Sequence, residues 1–193
     1  SEMLNGQSQW TDSILKQVRR LSNLIQNLIM LSKMGERSQV DLVITDVNFS
    51  ETVKTVADSF QQLAIDAEKT LTTAIADNVM LKGDSKCLYE LVNILVDNAV
   101  KYGQRAHVRV EDGTDFLLLV VDDEGPGIPP EELAKVTAPY YRPDASRNLK
   151  TGGVGLGLSI VSDIAQRHGG ELRLENRPDI GLRASLRLPR TPR

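Results

Sequence analysis

Three short stretches of the chain hold residue types that could do chemistry together. The first is Glu90-Leu91-Val92-Asn93-Ile94-Leu95-Val96-Asp97-Asn98-Ala99-Val100-Lys101-Tyr102. Read as a helix, it buries Leu91, Leu95 and Val96 on one side and brings Glu90, Asp97, Asn98 and Lys101 near one another. An Asn beside a Lys at the edge of a core costs free energy unless something pairs with both. A magnesium–phosphate group would pair with both. The amide oxygen is a hard ligand for Mg²⁺, and the ammonium is a point charge for phosphate. Taken alone, an ordinary amphipathic helix accounts for the same residues.

The second stretch is Val120-Val121-Asp122-Asp123-Glu124-Gly125-Pro126-Gly127-Ile128-Pro129. A buried strand that ends in a carboxylate and two glycines can form the edge of a site. The carboxylate can accept a hydrogen bond from an amino group, and the glycines let the chain turn sharply beside a flat ligand. A plain strand-ending turn would use the same residues. The third stretch, Gly152-Gly153-Val154-Gly155-Leu156-Gly157-Leu158, opens a helix, where backbone N–H groups and the helix dipole favour phosphate. Its spacing is not that of a dinucleotide-binding turn, and it lacks the Gly-Lys-Ser/Thr ending of a P-loop.

These stretches need elements to position them. From about Thr11 to Met34 the chain reads as one helix, with Ile14, Val18, Leu21, Ile25 and Leu28 at the alternating four- and three-residue steps of a bundle seam. Such a stripe needs a partner, and left without one it is expected to self-associate. A break at Gly35 to Gln39 follows, and the pattern then becomes mixed. Val40 to Val47 reads as extended, and Asn48 with Glu51 forms a capping box for a helix to about Asp66. Leu71–Ile75 and Val79–Leu81 read as short strands. Asp84 caps a helix through about Lys101, Ala106–Glu111 alternates as a half-buried strand, and Phe116–Val121 is a buried one. A long polar segment from Gly125 to Thr151 has the length of a lid or binding loop. Gly153–Arg167 reads as helix, Glu171–Leu174 and Ala184–Leu188 as strands, and residues 190–193 as a frayed tail.

Bulk properties narrow the classes. The 193 residues carry 23 basic and 26 acidic side chains, a formal net charge of −3, so neither nucleic acid nor a membrane surface is expected as a partner. A phosphorylated ligand would have to be held by local geometry. The single cysteine, Cys87, excludes an internal disulfide and fits a reducing compartment. No stretch reaches the roughly 18 apolar residues of a membrane span. The expectation is a cytoplasmic fragment.

In this order the three stretches resemble the N, G1 and G2 boxes of the ATP-binding domain of sensor histidine kinases, a family shared with gyrase, the Hsp90 chaperones and MutL. The likeness runs from about Val47 to Pro189 and includes His168-Gly169-Gly170 and the closing Gly181-Leu182-Arg183-Ala184-Ser185-Leu186-Arg187-Leu188-Pro189. It implies an α+β fold, a two-layer sandwich of the Bergerat type with a mixed sheet and three main helices, preceded here by one long bundle helix. It implies ATP and Mg²⁺ as ligands. Asn98 would coordinate the metal, Lys101 would contact phosphate, and Tyr102 would lie against the nucleotide. Asp123 would accept the adenine amino hydrogen, with Gly125, Gly127 and Ile128 lining the adenine pocket. Gly153, Gly155, Leu156, Gly157 and Leu158 would shape the phosphate end and the lid hinge. Tyr141 belongs to a variant aromatic box of the lid, and Arg142, Arg147 and Lys150 are its candidate phosphate-binding cations.

The opening helix resembles the second helix of the dimerisation and phosphotransfer domain. The resemblance thus divides the chain into residues 1–36 for that helix, 37–46 for a linker and first strand, 47–189 for the ATP-binding domain, and 190–193 for the tail. The implied activity is transfer of the ATP γ-phosphoryl group to a histidine supplied elsewhere, then to a response-regulator aspartate. The parent protein would be a homodimer anchored in the bacterial inner membrane. Two features depart from the family pattern. Ile94 stands where a second Asn often lies and where hydrolysing relatives carry a water-activating glutamate, which argues against a gyrase-like ATPase. Thr137 replaces the usual lid phenylalanine. An anti-sigma-type serine kinase and a degenerate nucleotide-binding module are the alternative readings.

Overall fold

The computed structural model of the chain describes residues 42–143 and 155–191, together with Trp10, Ile14, Gln17 and Val18. The chain divides into two compact units, Ser1–Asp41 and Leu42–Arg193. In the first, the four described residues are helical and exposed; the rest of the expected bundle helix lies outside the described residues.

The second unit opens with strand β1 (Ile44–Asn48) and helix α1 (Phe49–Asp66). The Asn48 side chain accepts the Glu51 N–H at 3.2 Å, so the expected cap forms where the capping residues stand. Strands β2 (Thr70–Ile75) and β3 (Met80–Asp84) follow, then helix α2 (Ser85–Tyr102), capped by the Asp84 carboxylate on the N–H groups of Lys86 and Cys87, both at 3.0 Å. Burial alone would raise the Asp84 pKa, but these hydrogen bonds and that from Val43 outweigh it and hold the carboxyl below its usual range. The remaining elements are β4 (Arg105–Asp112), β5 (Phe116–Asp123), the single turn α3 (Pro130–Leu133), α4 (Gly157–Arg167), β6 (Glu171–Asn176) and β7 (Leu182–Pro189).

Although consecutive in sequence, β2 and β3 join different sheets. The strand β3 pairs antiparallel with β1, whereas β2 runs parallel to β4 at the edge of a five-stranded sheet ordered β2-β4-β5-β7-β6. The register stacks Leu71, Ala106, Val108, Val110, Leu117, Leu119, Val121, Ala184, Leu186 and Leu188 on one face, all buried. The three long helices cover that face. Their apolar stripes supply the other half of the core: Phe49, Val53 and Val56 from α1, Leu88, Leu91, Val92, Leu95 and Val96 from α2, and Ile160, Val161 and Ile164 from α4. Each such side chain, fully withdrawn from water, contributes about 1.5–3 kcal/mol. Helix α2 lies between the other two and over β4 and β5, which makes it the central helix of the layer. This is the expected α+β sandwich with a mixed sheet and three main helices.

Three local expectations change. Helix α4 begins at Gly157 rather than Gly153, because Gly155 holds φ at +79°, a left-handed conformation that a helix cannot continue. The segment after Gly125 contains the turn α3, with Pro130 at its first position and Val136 buried behind it. Arg190 is not frayed. Its guanidinium donates to the carbonyls of Met80 at 2.6 Å and Gly113 at 2.7 Å and pairs with Asp112, while its own carbonyl accepts the Lys82 N–H.

Candidate functional site

The strand β5 ends in two carboxylates that point to opposite faces, as alternation along a strand requires. Asp122 lies on the face away from the helices, is itself buried, and takes a two-point hydrogen bond from Arg183, at 2.7 and 2.8 Å. Burial pushes its pKa up, but the Arg183 guanidinium more than reverses this and holds the carboxyl below the usual range. Asp123 continues the apolar face of Val121 and is only 8% exposed. Burial is the dominant influence there, and it leaves the Asp123 carboxyl raised despite the backbone N–H groups of Gly125 and Leu182 and the charge of Arg177.

Those two N–H groups both reach the same oxygen. Oδ1 of Asp123 accepts from Gly125 at 2.8 Å and Leu182 at 3.2 Å, so among the described residues Oδ2 is the acceptor left for a ligand. The surroundings are made of close backbone approaches. A Cβ on Gly103 would lie 2.9 Å from the Asp123 Cβ, and one on Gly125 would lie 2.9 Å from both Asp123 Oδ1 and the Tyr102 carbonyl oxygen. The end of α2, with Lys101 and Tyr102, is therefore pressed against the end of β5. It is held there by Lys69, whose ammonium donates to the carbonyls of Val100 at 2.5 Å and Lys101 at 2.9 Å. The Lys101 ammonium lies 5.1 Å from the centre of the Tyr102 ring.

A second cluster forms one turn earlier on α2. Asn98 is half-buried and faces the first residue of α4. A Cβ at Gly157 would come within 2.9 Å of Ile94 Cγ2 and 3.7 Å of the Asn98 amide nitrogen, so only glycine lets the two helices approach this closely. Among the described residues no side chain caps the start of α4 at Leu156, and a helix start of this kind favours an anion. Leu156 itself is buried, and Leu158 is half-buried.

Gly155 packs against residues 140–142. A Cβ there would meet the Tyr141 carbonyl oxygen at 2.7 Å and Arg142 Cγ at 2.9 Å, beside Tyr140, whose φ is +64°. Tyr140 and Gly155 thus meet with both backbones left-handed. Arg147, Lys150 and Gly153 lie outside the described residues.

Gly127 (φ +70°) and Ile128 are held from the far side of the sheet by Asn176, and Asp123 is held by Arg177 and Leu182. These partners, together with Gly103 and Lys69, carry no signal in the three motifs. Their nearest trace is Gly181 in the closing stretch, whose φ is +95° and whose Cβ would fall 1.8 Å from the Asp123 carbonyl oxygen.

The family described as histidine kinase-, DNA gyrase B- and HSP90-like ATPase matches residues 83–192. The chain is 45% identical over 108 residues to the sensor histidine kinase GtrS of Pseudomonas aeruginosa PAO1, covering 56% of this chain and 22% of that protein. It is 30% identical over 192 residues to the sensor histidine kinase CpxA of Escherichia coli K12, covering 96% of this chain and 40% of that one. The chain thus spans less than half the length of these relatives. Among solved structures it resembles the mycobacterial sensor histidine kinase MprB, with a TM-score of 0.68 and 28% identity over 78% of this chain and all of that one.

Proposed function

Because the chain belongs to the histidine kinase-, DNA gyrase B- and HSP90-like ATPase family, we propose that it is the catalytic part of a sensor histidine kinase, binding ATP and passing its γ-phosphoryl group to a histidine. The observation that carries the adenine end is Asp123. It is a buried carboxylate with one oxygen engaged by two backbone N–H groups, set among glycines that let the backbone come close. Its other oxygen accepts the amino hydrogen of adenine and repels the 6-oxo group of guanine. Gly125, Gly127 and Ile128 form the wall along which the flat base lies, and Tyr102 closes its side.

At the phosphate end the donor set fits Mg²⁺ that arrives with the nucleotide. Among the described residues no group of three His, Cys, Asp or Glu could hold a metal alone. A single amide oxygen from Asn98 suits an ion whose other ligands are phosphate oxygens and water. When bound, Mg²⁺ supplies charge neutralisation on the phosphates. Lys101 adds a positive charge, the uncapped start of α4 adds N–H donors, and Gly157 keeps that start close to Asn98. Arg142, Arg147 and Lys150 are the lid cations for the transferred group, with Tyr141 packing at the lid's root and Gly153, Gly155, Leu156 and Leu158 forming its hinge. Catalysis is positioning and charge neutralisation, with no covalent step on this domain.

Neither histidine of this chain is the acceptor. His168 is 1% exposed, with Nδ1 bonded to the Ile164 carbonyl at 2.8 Å and Nε2 accepting the Asp84 N–H at 3.1 Å. The Nδ1 of His107 is bonded to the Thr72 hydroxyl at 2.8 Å, on the sheet. The acceptor therefore belongs to another helix of the parent protein. Residues 1–36 are read as the second helix of that dimerisation domain, 37–46 as linker and first strand, and 47–189 as the ATP-binding domain. The parent is a homodimer whose phosphoryl group moves on to a response regulator, and it is anchored in the bacterial inner membrane. No described helix is itself long and apolar enough to cross a membrane.

Calorimetric titration of the chain with ATP, with and without Mg²⁺, tests the site. Binding strengthened by Mg²⁺, followed by phosphohistidine formation when the acceptor helix is supplied, supports the kinase. A folded chain that binds no ATP overturns it.

A further inference from the structure

Two residues where β6 ends, Asn176 and Arg177, lie outside every motif, yet they hold the G1 segment at both ends. Asn176 has an exposed side chain, but its amide is used twice on one residue: Nδ2 donates to the Ile128 carbonyl at 2.6 Å and Oδ1 accepts the Ile128 N–H at 2.9 Å. The same Oδ1 lies where a Cβ on Gly127 would reach to 2.8 Å, so that glycine's left-handed turn is shaped to fit the amide. Arg177 donates from its guanidinium to the Asp123 carbonyl at 2.9 Å and closes the β6–β7 turn by its N–H to the Gly181 carbonyl, also at 2.9 Å.

Pairing between β5 and β7 ends at Asp122 and Arg183. Beyond that point Asp123 and Glu124 still pair with β4, at Ala106 and Arg105, but Asp123 to Ile128 has no ladder on the β7 side. The hairpin stands in for the missing strand, with Arg177 on the Asp123 carbonyl, Leu182 on its carboxylate and Asn176 on Ile128. We propose that Asn176 and Arg177 are positioning residues for the nucleotide base, fixing which oxygen of Asp123 faces the ligand and how the Gly125–Ile128 wall lies beside it. The inference rests on the reading of Asp123 as the base contact.

An exposed amide hydrogen-bonded to a surface loop adds little to global stability, so a structural role and a positioning role separate cleanly. The affinities of the intact chain for ATP, ADP and GTP would be measured for Asn176→Ala and Arg177→Ala, with melting temperatures alongside. Loss of two loop hydrogen bonds is expected to weaken ATP about tenfold in Asn176→Ala, with the preference for ATP over GTP narrowing about tenfold. The ATP-to-ADP ratio should hold, because the Asn98–Gly157 end is untouched. Asn176→Asp, which keeps one of the two bonds, should fall between, and it serves if the alanine variant does not fold. Arg177→Lys should recover part of the loss. If the variants melt lower but keep the base preference within about twofold, or shift the ATP-to-ADP ratio instead, the inference is overturned. Asp123→Asn separates the two levels. If that variant still binds ATP, the base contact itself is wrong. If it loses ATP while Asn176→Ala and Arg177→Ala keep both affinity and preference, only the positioning role falls.

Discussion

The two ends of the site are built by different means. At the proposed base end, Asp123 sits on the central strand of the sheet. Its carbonyl and Oδ1 are both engaged, by Arg177, Gly125 and Leu182, so one free oxygen faces one direction. At the proposed phosphate end, Asn98 and the start of α4 are brought together by the lack of a side chain on Gly157, with no side-chain cap at that start among the described residues. The two left-handed residues Tyr140 and Gly155 sit at the root of the proposed lid. A hydrogen-bond pattern that selects one base needs donors and acceptors fixed in direction, and a sheet supplies them. Phosphates and a metal need charge and close approach, and they must enter and leave; helix ends and a lid serve that better.

The sharpest way to break the contrast is Asp123→Asn. Gly125 and Leu182 require an acceptor at the inner position, so the new amide must turn its oxygen inward and its NH₂ toward the adenine amino group. Two donors then face each other, and ATP affinity should drop by about a hundredfold or more, read by calorimetry. If Asp123→Asn binds normally, the base end is not directional in the way described. Asn98→Ala tests the other end. It should weaken Mg-dependent ATP binding about tenfold and leave Mg-free binding nearly unchanged. An equal loss in both conditions would remove Asn98 from the metal.

Gly157→Ala comes next in size. Its Cβ would press on Ile94 Cγ2 and push α4 from α2, at a cost of about 1–3 kcal/mol in stability and a weaker hold on triphosphate than on the base. Urea unfolding and the ATP-to-adenosine affinity ratio measure these two effects. Because the Asp123 carboxyl is raised by burial, acidification should weaken ATP binding at a pH above the ordinary carboxylate range. The sign follows from the site: the free protein takes up a proton that binding must expel. Asp122, held low by Arg183, stays ionised through the same window.

The smallest effect concerns the scaffold both ends share. Burial lowers the His168 pKa, Asp84 and the backbone bond to Ile164 oppose this, and the nearby Arg167 adds to it. The folded state therefore keeps His168 neutral where the unfolded chain binds a proton. Stability is full above the unfolded pKa of about 6.5 and falls below it by up to about 1.4 kcal/mol per pH unit until the lowered folded value is reached. Replacing His168 by Gln should flatten this slope in melting experiments between neutral and mildly acid pH.

Much was determined by sequence alone. The caps at Asn48 and Asp84, the apolar periods of α1 and α2, and the buried run of β5 are local, and the elements formed with ends within a few residues of those expected. The three glycine- and carboxylate-bearing stretches, in their order, were enough to point to the family. Other features depended on parts of the chain far apart in number. The period of two places Asp122 and Asp123 on opposite faces, but only the tertiary packing decides which buried carboxylate meets Arg183 and is held low, and which is left raised. The separation of β2 and β3 into different sheets, the anchoring of Arg190, and the hold of Asn176 and Arg177 on a loop some 50 residues earlier arise from strand order. No local pattern encodes strand order, because each of those hydrogen bonds joins groups that meet only once the sheet has closed.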